Sequence, residues 1–319
     1  MIAVQNYKSS VRNKRQLWQK VQWGVLLTLM VLIYGSHAPL ISVTKVNGLV
    51  PFNASSCVIL IESAKLLISL ITLVLTDGAA ALRAPPSLLL VAPYAIPAVL
   101  YALNNNLVVH MQAYMDPSSF QVLSNLKIAS TALLYSLCLS KTLRKGQWVA
   151  LGLLMCAGVC QSYTSLDTEG GEADGSSLYI TVWGLLLVFV YCSVSGLAAV
   201  YTEKILKSQK LPLSLQNLYL YVFGVVINGM LLLPALATES SFLDGFSSAV
   251  WAIVIGQTAN GLLMSVVLKH GSGITRLFVI SCSMLVNALL SWAFLGLQLS
   301  LFFLLPVSLV GLAAYLYYR

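Results

Sequence analysis

The second apolar stretch of the chain carries Glu62 and Lys65, three residues apart, with Ser69, Thr72 and Thr76 continuing the same face at helical spacing. Opposite charges so placed either neutralise each other or offer a polar surface to a ligand. Lys127 is different: it shares a face with Phe120, Ser124 and Thr131, and no acid lies near it in its own stretch. An ammonium, hydroxyls and an aromatic ring together suit an anionic ligand whose base can stack. Tyr101 and Asn105 stand one turn apart, and Asn217 and Tyr221 repeat that arrangement. Amides can read a pyrimidine edge and tyrosines can stack or donate, although asparagine also serves as a hydrogen-bonding residue between membrane helices. Arg276, with Ser283 and Asn287 extending its face, offers a guanidinium to phosphate or a side chain that snorkels to the interface, and Lys269 has the same two readings.

Ser195 lies two turns before Glu203 and is a candidate ligand for the same anion, whereas Glu203 and Lys207 have the spacing of a surface ion pair. His37, His110 and His270 fall on separate stretches, read as packing residues, and make no metal-ligand spacing with carboxylates. There is no nucleophile elbow, no pair of acids in an aqueous loop and no acidic metal site for a sugar nucleotide. Neither catalytic residues nor a cofactor is expected.

These groups belong to a chain that is 58% hydrophobic and only 9% charged, whereas soluble domains carry roughly 25% charged residues. The solvent of this fold is membrane lipid. An ionisable group deep in a bilayer costs from about 2.5 to over 10 kcal/mol, so each one marks a candidate site. Ten apolar stretches long enough to cross about 30 Å of hydrocarbon lie near 23–43, 55–76, 87–110, 117–139, 147–163, 180–205, 214–236, 249–268, 274–295 and 299–318. The first has no small-residue cleavage signature and reads as a retained helix.

The net charge of +8 serves orientation rather than nucleic-acid binding. Lys8, Arg12, Lys14, Arg15 and Lys20 precede the first stretch, and Arg83, Lys141, Arg144, Lys145, Lys207 and Lys210 occupy alternate loops, which should be cytosolic together with both termini. The other loops hold Lys45 and the acids Asp116, Asp167, Glu169, Glu172, Asp174, Glu239 and Asp244, and should be lumenal. After a tail over 1–22, an acidic linker over 164–179 separates 23–163 from 180–319, with five stretches on either side. An odd number per half makes the halves inverted. Asn105 to His110, running on to Phe120, faintly repeats in Met264 to His270, running on to Phe278. The expected fold is an all-α polytopic membrane protein of ten transmembrane helices in two inverted five-helix repeats. The six cysteines sit in or beside apolar stretches and are expected as thiols, and the Asn53-Ala-Ser55 sequon is expected to go unused so close to the second helix.

Taken together, Glu62-Ser-Ala-Lys65, Tyr101-Ala-Leu-Asn-Asn-Asn106, Phe120-Gln-Val-Leu-Ser-Asn-Leu-Lys-Ile128, Gly196-Leu-Ala-Ala-Val-Tyr-Thr-Glu-Lys204 and Gln216-Asn217 through Tyr221 resemble the nucleotide-sugar transporter family. The matching branch holds the CMP-sialic acid and UDP-galactose transporters. The resemblance implies the drug/metabolite transporter fold, a cavity opening alternately to the cytosol and the Golgi lumen, and exchange of a UDP-, CMP- or CDP-linked sugar or sugar alcohol for a nucleoside monophosphate. It places the nucleotide at Lys65, Tyr101, Asn105, Lys127, Ser195, Asn217, Tyr221 and Arg276. Phe120 stands where related transporters have tyrosine, Asn104 where they have glutamine, and Arg276 where some have lysine, while Leu123 and Tyr219 replace polar residues. Two rival classes fit the same composition: a general metabolite exporter of the wider superfamily, and a non-transporting scaffold for glycosylation enzymes. Homodimerisation and association with other transporters or glycosyltransferases are left open.

Overall fold

The computed structural model describes residues 2–45, 50–77, 87–111, 114–115, 117–169, 181–236, 242–296 and 301–319. Of the charges used to orient the chain, Arg83, Asp116, Glu172, Asp174 and Glu239 lie outside these residues. The described residues form helices α1 (Ile2–Gly35), α2 (His37–Thr44), α3 (Ala54–Asp77), α4 (Leu88–Val91), α5 (Ala95–Met111), α6 (Pro117–Leu123), α7 (Lys127–Cys138), α8 (Lys145–Glu169), α9 (Val182–Ser208), α10 (Leu213–Leu236), α11 (Ser248–His270), α12 (Gly273–Leu295) and α13 (Leu304–Tyr318). Three 3-10 turns, Ala92–Tyr94, Ser124–Leu126 and Leu301–Phe303, interrupt or precede them.

Among the described residues, seven spans are long and apolar enough to cross a membrane: Gln19–Thr44, Ala54–Thr76, Leu88–Val108, Val182–Ser208, Leu213–Leu232, Ser248–His270 and Gly273–Phe294. Leu75, Leu89, Phe189 and Phe294 point outward and are largely exposed. Such apolar surface is unfavourable in water and natural against lipid. The chain is an all-helical, multi-pass membrane protein.

Several expected continuous stretches are broken for local reasons. Pro39 lacks an N–H and crowds the carbonyl of Gly35, so the first stretch turns at Ser36 between α1 and α2. Pro93 and Pro97 do the same between α4 and α5. Helix α1 begins at Ile2, within the expected tail, and α8 runs on to Glu169, into the expected linker, because neither glycine nor proline stands between Gly158 and Gly170.

The helices pack as α8 with α13, α3 with α10, α7 and α5 with α9, and α1 with α12 and α11. Membrane helices approach closely where side chains are small. A Cβ at Gly196 of α9 would lie 3.1 Å from the Thr131 backbone of α7, and one at Gly35 of α1 would lie 2.8 Å from the Ser283 carbonyl of α12. Asn53 caps α3 through its side-chain oxygen, which accepts from the N–H groups of Ser55 at 2.8 Å and Ser56 at 3.3 Å.

Candidate functional site

Glu62 and Lys65 project from α3 toward α10 and α11. The Lys65 ammonium donates to Glu62 Oε1 at 2.5 Å and lies 4.6 Å from the centroid of the Tyr221 ring on α10. The pair fits between two glycines: a Cβ at Gly224 would come within 2.6 Å of Glu62 Oε2, and one at Gly261 within 2.7 Å of Lys65 Cδ. Tyr221 is buried, and its hydroxyl meets Ser265 Oγ at 3.1 Å and donates to the Gly261 carbonyl at 3.3 Å. Lys65 is therefore compensated by a carboxylate and a ring face, a coupling that sequence spacing anticipates only within α3. Asn217, one turn before Tyr221, is buried with its Oδ1 unpartnered.

A second group gathers on α5, α6, α7, α9 and α12. Asn125 is buried and its amide donates to the carbonyls of Gln121 and Val122 and to Ser162 Oγ, at 3.1, 3.1 and 3.2 Å. By bonding the backbone of its own preceding turn, it tightens the chain into the 3-10 turn Ser124–Leu126. Gly158 of α8 makes the room, since a Cβ there would overlap Asn125 Oδ1. Lys127 is the first residue after this break. No hydrogen bond or ion pair engages its ammonium among the described residues, and Arg276 on α12 and Cys192 on α9 lie close enough to interact with it electrostatically. Arg276 likewise has no acidic partner among the described residues, and its Nε is buried with no hydrogen-bond partner. Two cations on helices that touch, with no acidic partner among the described residues, make a candidate site for an anion.

Phe120 on α6 packs edge-to-face on Tyr191 of α9, ring centroids 5.4 Å apart and planes at 68°. Tyr191 also lies near Tyr34, Cys192 and Arg276, with the Asn104 carboxamide beside its hydroxyl. Asn104 Oδ1 is buried and unpartnered, whereas Asn105, the expected amide, is exposed. The Tyr101 hydroxyl meets Thr202 Oγ1 at 3.4 Å and lies within electrostatic reach of Tyr221, connecting the two groups. Ser195 is half-buried on the α9 face that follows Tyr191 by one turn. That spacing from Ser195 is the signal that would single out Tyr191 in the sequence; Asn125 and Gly158 offer none. Phe120 and Tyr221 belong to separate packed clusters, the first with Met111, Met115 and Val188, the second with Tyr94, Leu206 and Leu268.

The reading of Glu203 and Lys207 as a surface pair is corrected. Lys207 donates to Glu203 Oε1 at 2.7 Å, but Glu203 is 0% exposed, because its other oxygen accepts the Gly273 N–H at the start of α12, at 2.6 Å. Lys269 neither snorkels nor waits for ligand: it donates to the Leu211 carbonyl at 2.7 Å and to Gln216 Oε1 at 2.9 Å. His110 and His270 are exposed and His37 is half-buried.

A model of the nucleotide-sugar transporter family matches residues 21–318. The protein of Danio rerio named "Probable UDP-sugar transporter protein SLC35A4" is 62% identical over 299 residues, 94% of each chain. Its namesake in Xenopus tropicalis is 52% identical, covering 95% of this chain and 94% of the relative. The Homo sapiens protein of that name is 48% identical, covering 94% and 95%. A protein of known crystal structure shares the fold with a TM-score of 0.67, over 91% of this chain and 94% of its own, at 14% identity. With that match over nearly its whole length, the chain belongs to the nucleotide-sugar transporter family, a family of carriers rather than enzymes.

Proposed function

We propose that this protein exchanges a pyrimidine-nucleotide-linked sugar or sugar alcohol, UDP-, CMP- or CDP-linked, for a nucleoside monophosphate by alternating access in the Golgi membrane, with both termini in the cytosol. The observation that carries the reading is the juxtaposition of Lys127 and Arg276 with no acid paired to either among the described residues. Phosphate supplies the missing negative charge, and Arg276 can grip it with paired donors. Phe120 and Tyr191 offer aromatic surface to the base, the amides of Asn104, Asn105 and Asn217 read its edge, and Tyr101 and Ser195 supply hydroxyls. Glu62 and Lys65, already neutral as a pair, present a polar surface to the sugar, with Tyr221 anchoring the lysine. The relatives' printed names support a UDP-linked cargo.

The packing supports ten spans in two inverted repeats. Assign α1–α2, α3, α4–α5, α6–α7 and α8 to the first half and α9 to α13 to the second. Exchanging the halves then maps α7 against α9 onto α12 against α1, and α5 against α10 onto α11 against α3, while α3–α10 and α8–α13 map onto themselves. In each half the first helix lays a glycine, Gly35 or Gly196, against the fourth helix of the other. Inverted repeats place the substrate at their interface near the midplane.

The test is thermal stabilisation of the purified chain by UMP, CMP, GMP and AMP. A ligand at 100 times its Kd adds about 2.7 kcal/mol to stability. Stabilisation by pyrimidine monophosphates is expected, and Lys127→Ala, still folded, should weaken it by about tenfold to a hundredfold in Kd. An absence of stabilisation by every nucleotide, sugar conjugates included, would favour the exporter or scaffold classes.

A further inference from the structure

We propose that Glu203 is a positioning residue for Arg276, acting through the first turn of α12. The inference rests on the anion site proposed above, although the contacts on which it is built do not.

Glu203 is a fully buried carboxylate on a membrane-spanning helix, and its two oxygens have different tasks. One takes the Lys207 ammonium at 2.7 Å; the other takes the N–H of Gly273, the first residue of α12, at 2.6 Å. Lys207 in turn donates to the Gly271 carbonyl at 2.5 Å. The end of α9 thus holds the connection Gly271-Ser272-Gly273 by a donor on one side and an acceptor on the other. Gly273 permits the approach, since a Cβ there would lie 3.2 Å from Glu203 Oε2.

The start of α12 does not need this carboxylate for its own capping. Ser272 is already the cap: its Oγ accepts from the Thr275 N–H at 3.1 Å and meets Thr275 Oγ1 at 3.0 Å. What Glu203 adds is a tie between helices, and a charge-assisted one. The tie reaches Arg276 directly, because the Arg276 N–H donates to the Ser272 carbonyl at 3.1 Å, between the two glycines that α9 holds. Among the described residues Arg276 has no side-chain hydrogen bond or ion pair to fix its aim, its Nε being buried and unpartnered. Its direction therefore follows its backbone, and its backbone follows Glu203.

The experiment uses the full chain in detergent, with Glu203→Gln, Glu203→Ala, Arg276→Gln and the Glu203→Ala/Arg276→Gln double variant. Two readouts are taken: deuterium exchange of the backbone amides over 271–276, and affinity for UMP and CMP. Glu203→Ala should speed exchange in that segment by about tenfold to a hundredfold, as loss of a charge-assisted bond does, with α13 unchanged. Glu203→Gln keeps an acceptor but loses the charge and should fall between. Nucleotide affinity should drop by about tenfold in Glu203→Ala, and the double variant should bind no more weakly than Arg276→Gln alone. Unchanged exchange over 271–276, exchange that rises equally in every helix, or losses of affinity that multiply would each overturn the proposal. If Glu203→Ala does not fold, Glu203→Gln alone and with Arg276→Gln carries the same comparisons. A wild-type chain that binds no nucleoside monophosphate overturns the functional reading and the positioning role together. Binding in the wild type with multiplying losses overturns the positioning role only.

Discussion

At the scale of single residues, the distinction that matters is between cations that are compensated and cations that are not. Lys65 has a carboxylate at 2.5 Å and a ring face at 4.6 Å, in a notch formed by Gly224 and Gly261. Removing one member of such a pair leaves the other charge stranded in a low dielectric, which costs about 3 kcal/mol or more, whereas removing both does not. Glu62→Gln and Lys65→Met are each expected to lower the melting temperature in detergent by several degrees. The Glu62→Gln/Lys65→Met double variant should recover most of that loss. A double variant as unstable as the worse single one would show that the two groups are not compensating each other. Lys127 and Arg276 should behave in the opposite way: with no acidic partner among the described residues to strand, neutralising either ought to leave stability unchanged or improve it while reducing anion affinity.

At the scale of elements, the break between α6 and α7 aims Lys127, and a glycine on a different helix makes the break possible. Asn125 occupies the space that a side chain at Gly158 would fill. Gly158→Ala therefore forces the amide off the carbonyls of Gln121 and Val122. An overpacked site of this kind typically costs about 1–3 kcal/mol, with Ser162 Oγ losing its contact as well. The expected result is a lower melting temperature together with weaker nucleotide binding; Gly152→Ala, on the same helix with open space around it, should change neither. The contrast shows which part of the site is legible in the sequence. Glu62, Lys65, Lys127 and Arg276 stand out because a charge in an apolar stretch is costly wherever it lies. Helix existence is legible for the same reason, through long apolar runs, but those runs hide the breaks that Pro39, Pro93 and Pro97 impose within 23–43 and 87–110. Asn125 with Gly158, Tyr191 with Asn104, and the burial of Glu203 are not legible. Each depends on two helices far apart in sequence meeting in space, and a polar residue on an isolated helix carries no sign of which neighbour will satisfy it.

For the whole molecule, the uncompensated charge becomes a kinetic property. In a carrier whose halves rock about a central site, the loaded and empty forms cross between orientations at different rates if the site differs in desolvation cost. With the site empty, closing it around Lys127 and Arg276 takes two positive charges out of water with no counter-charge, and each costs several kcal/mol even after relaxation. With a nucleotide bound on either side, the phosphate offsets that cost and closure becomes accessible. In the proposed cycle, return of the empty carrier is then the slow step, and transport proceeds as exchange. Proteoliposomes preloaded with UMP or CMP should accumulate labelled nucleotide sugar, and empty vesicles should take up little. Lys127→Ala should lose binding but narrow the difference between loaded and empty vesicles for whatever uptake remains, because the empty cavity then carries one charge fewer. Equal uptake into loaded and empty wild-type vesicles would show that the empty form crosses freely and that the two cations do not gate the cycle.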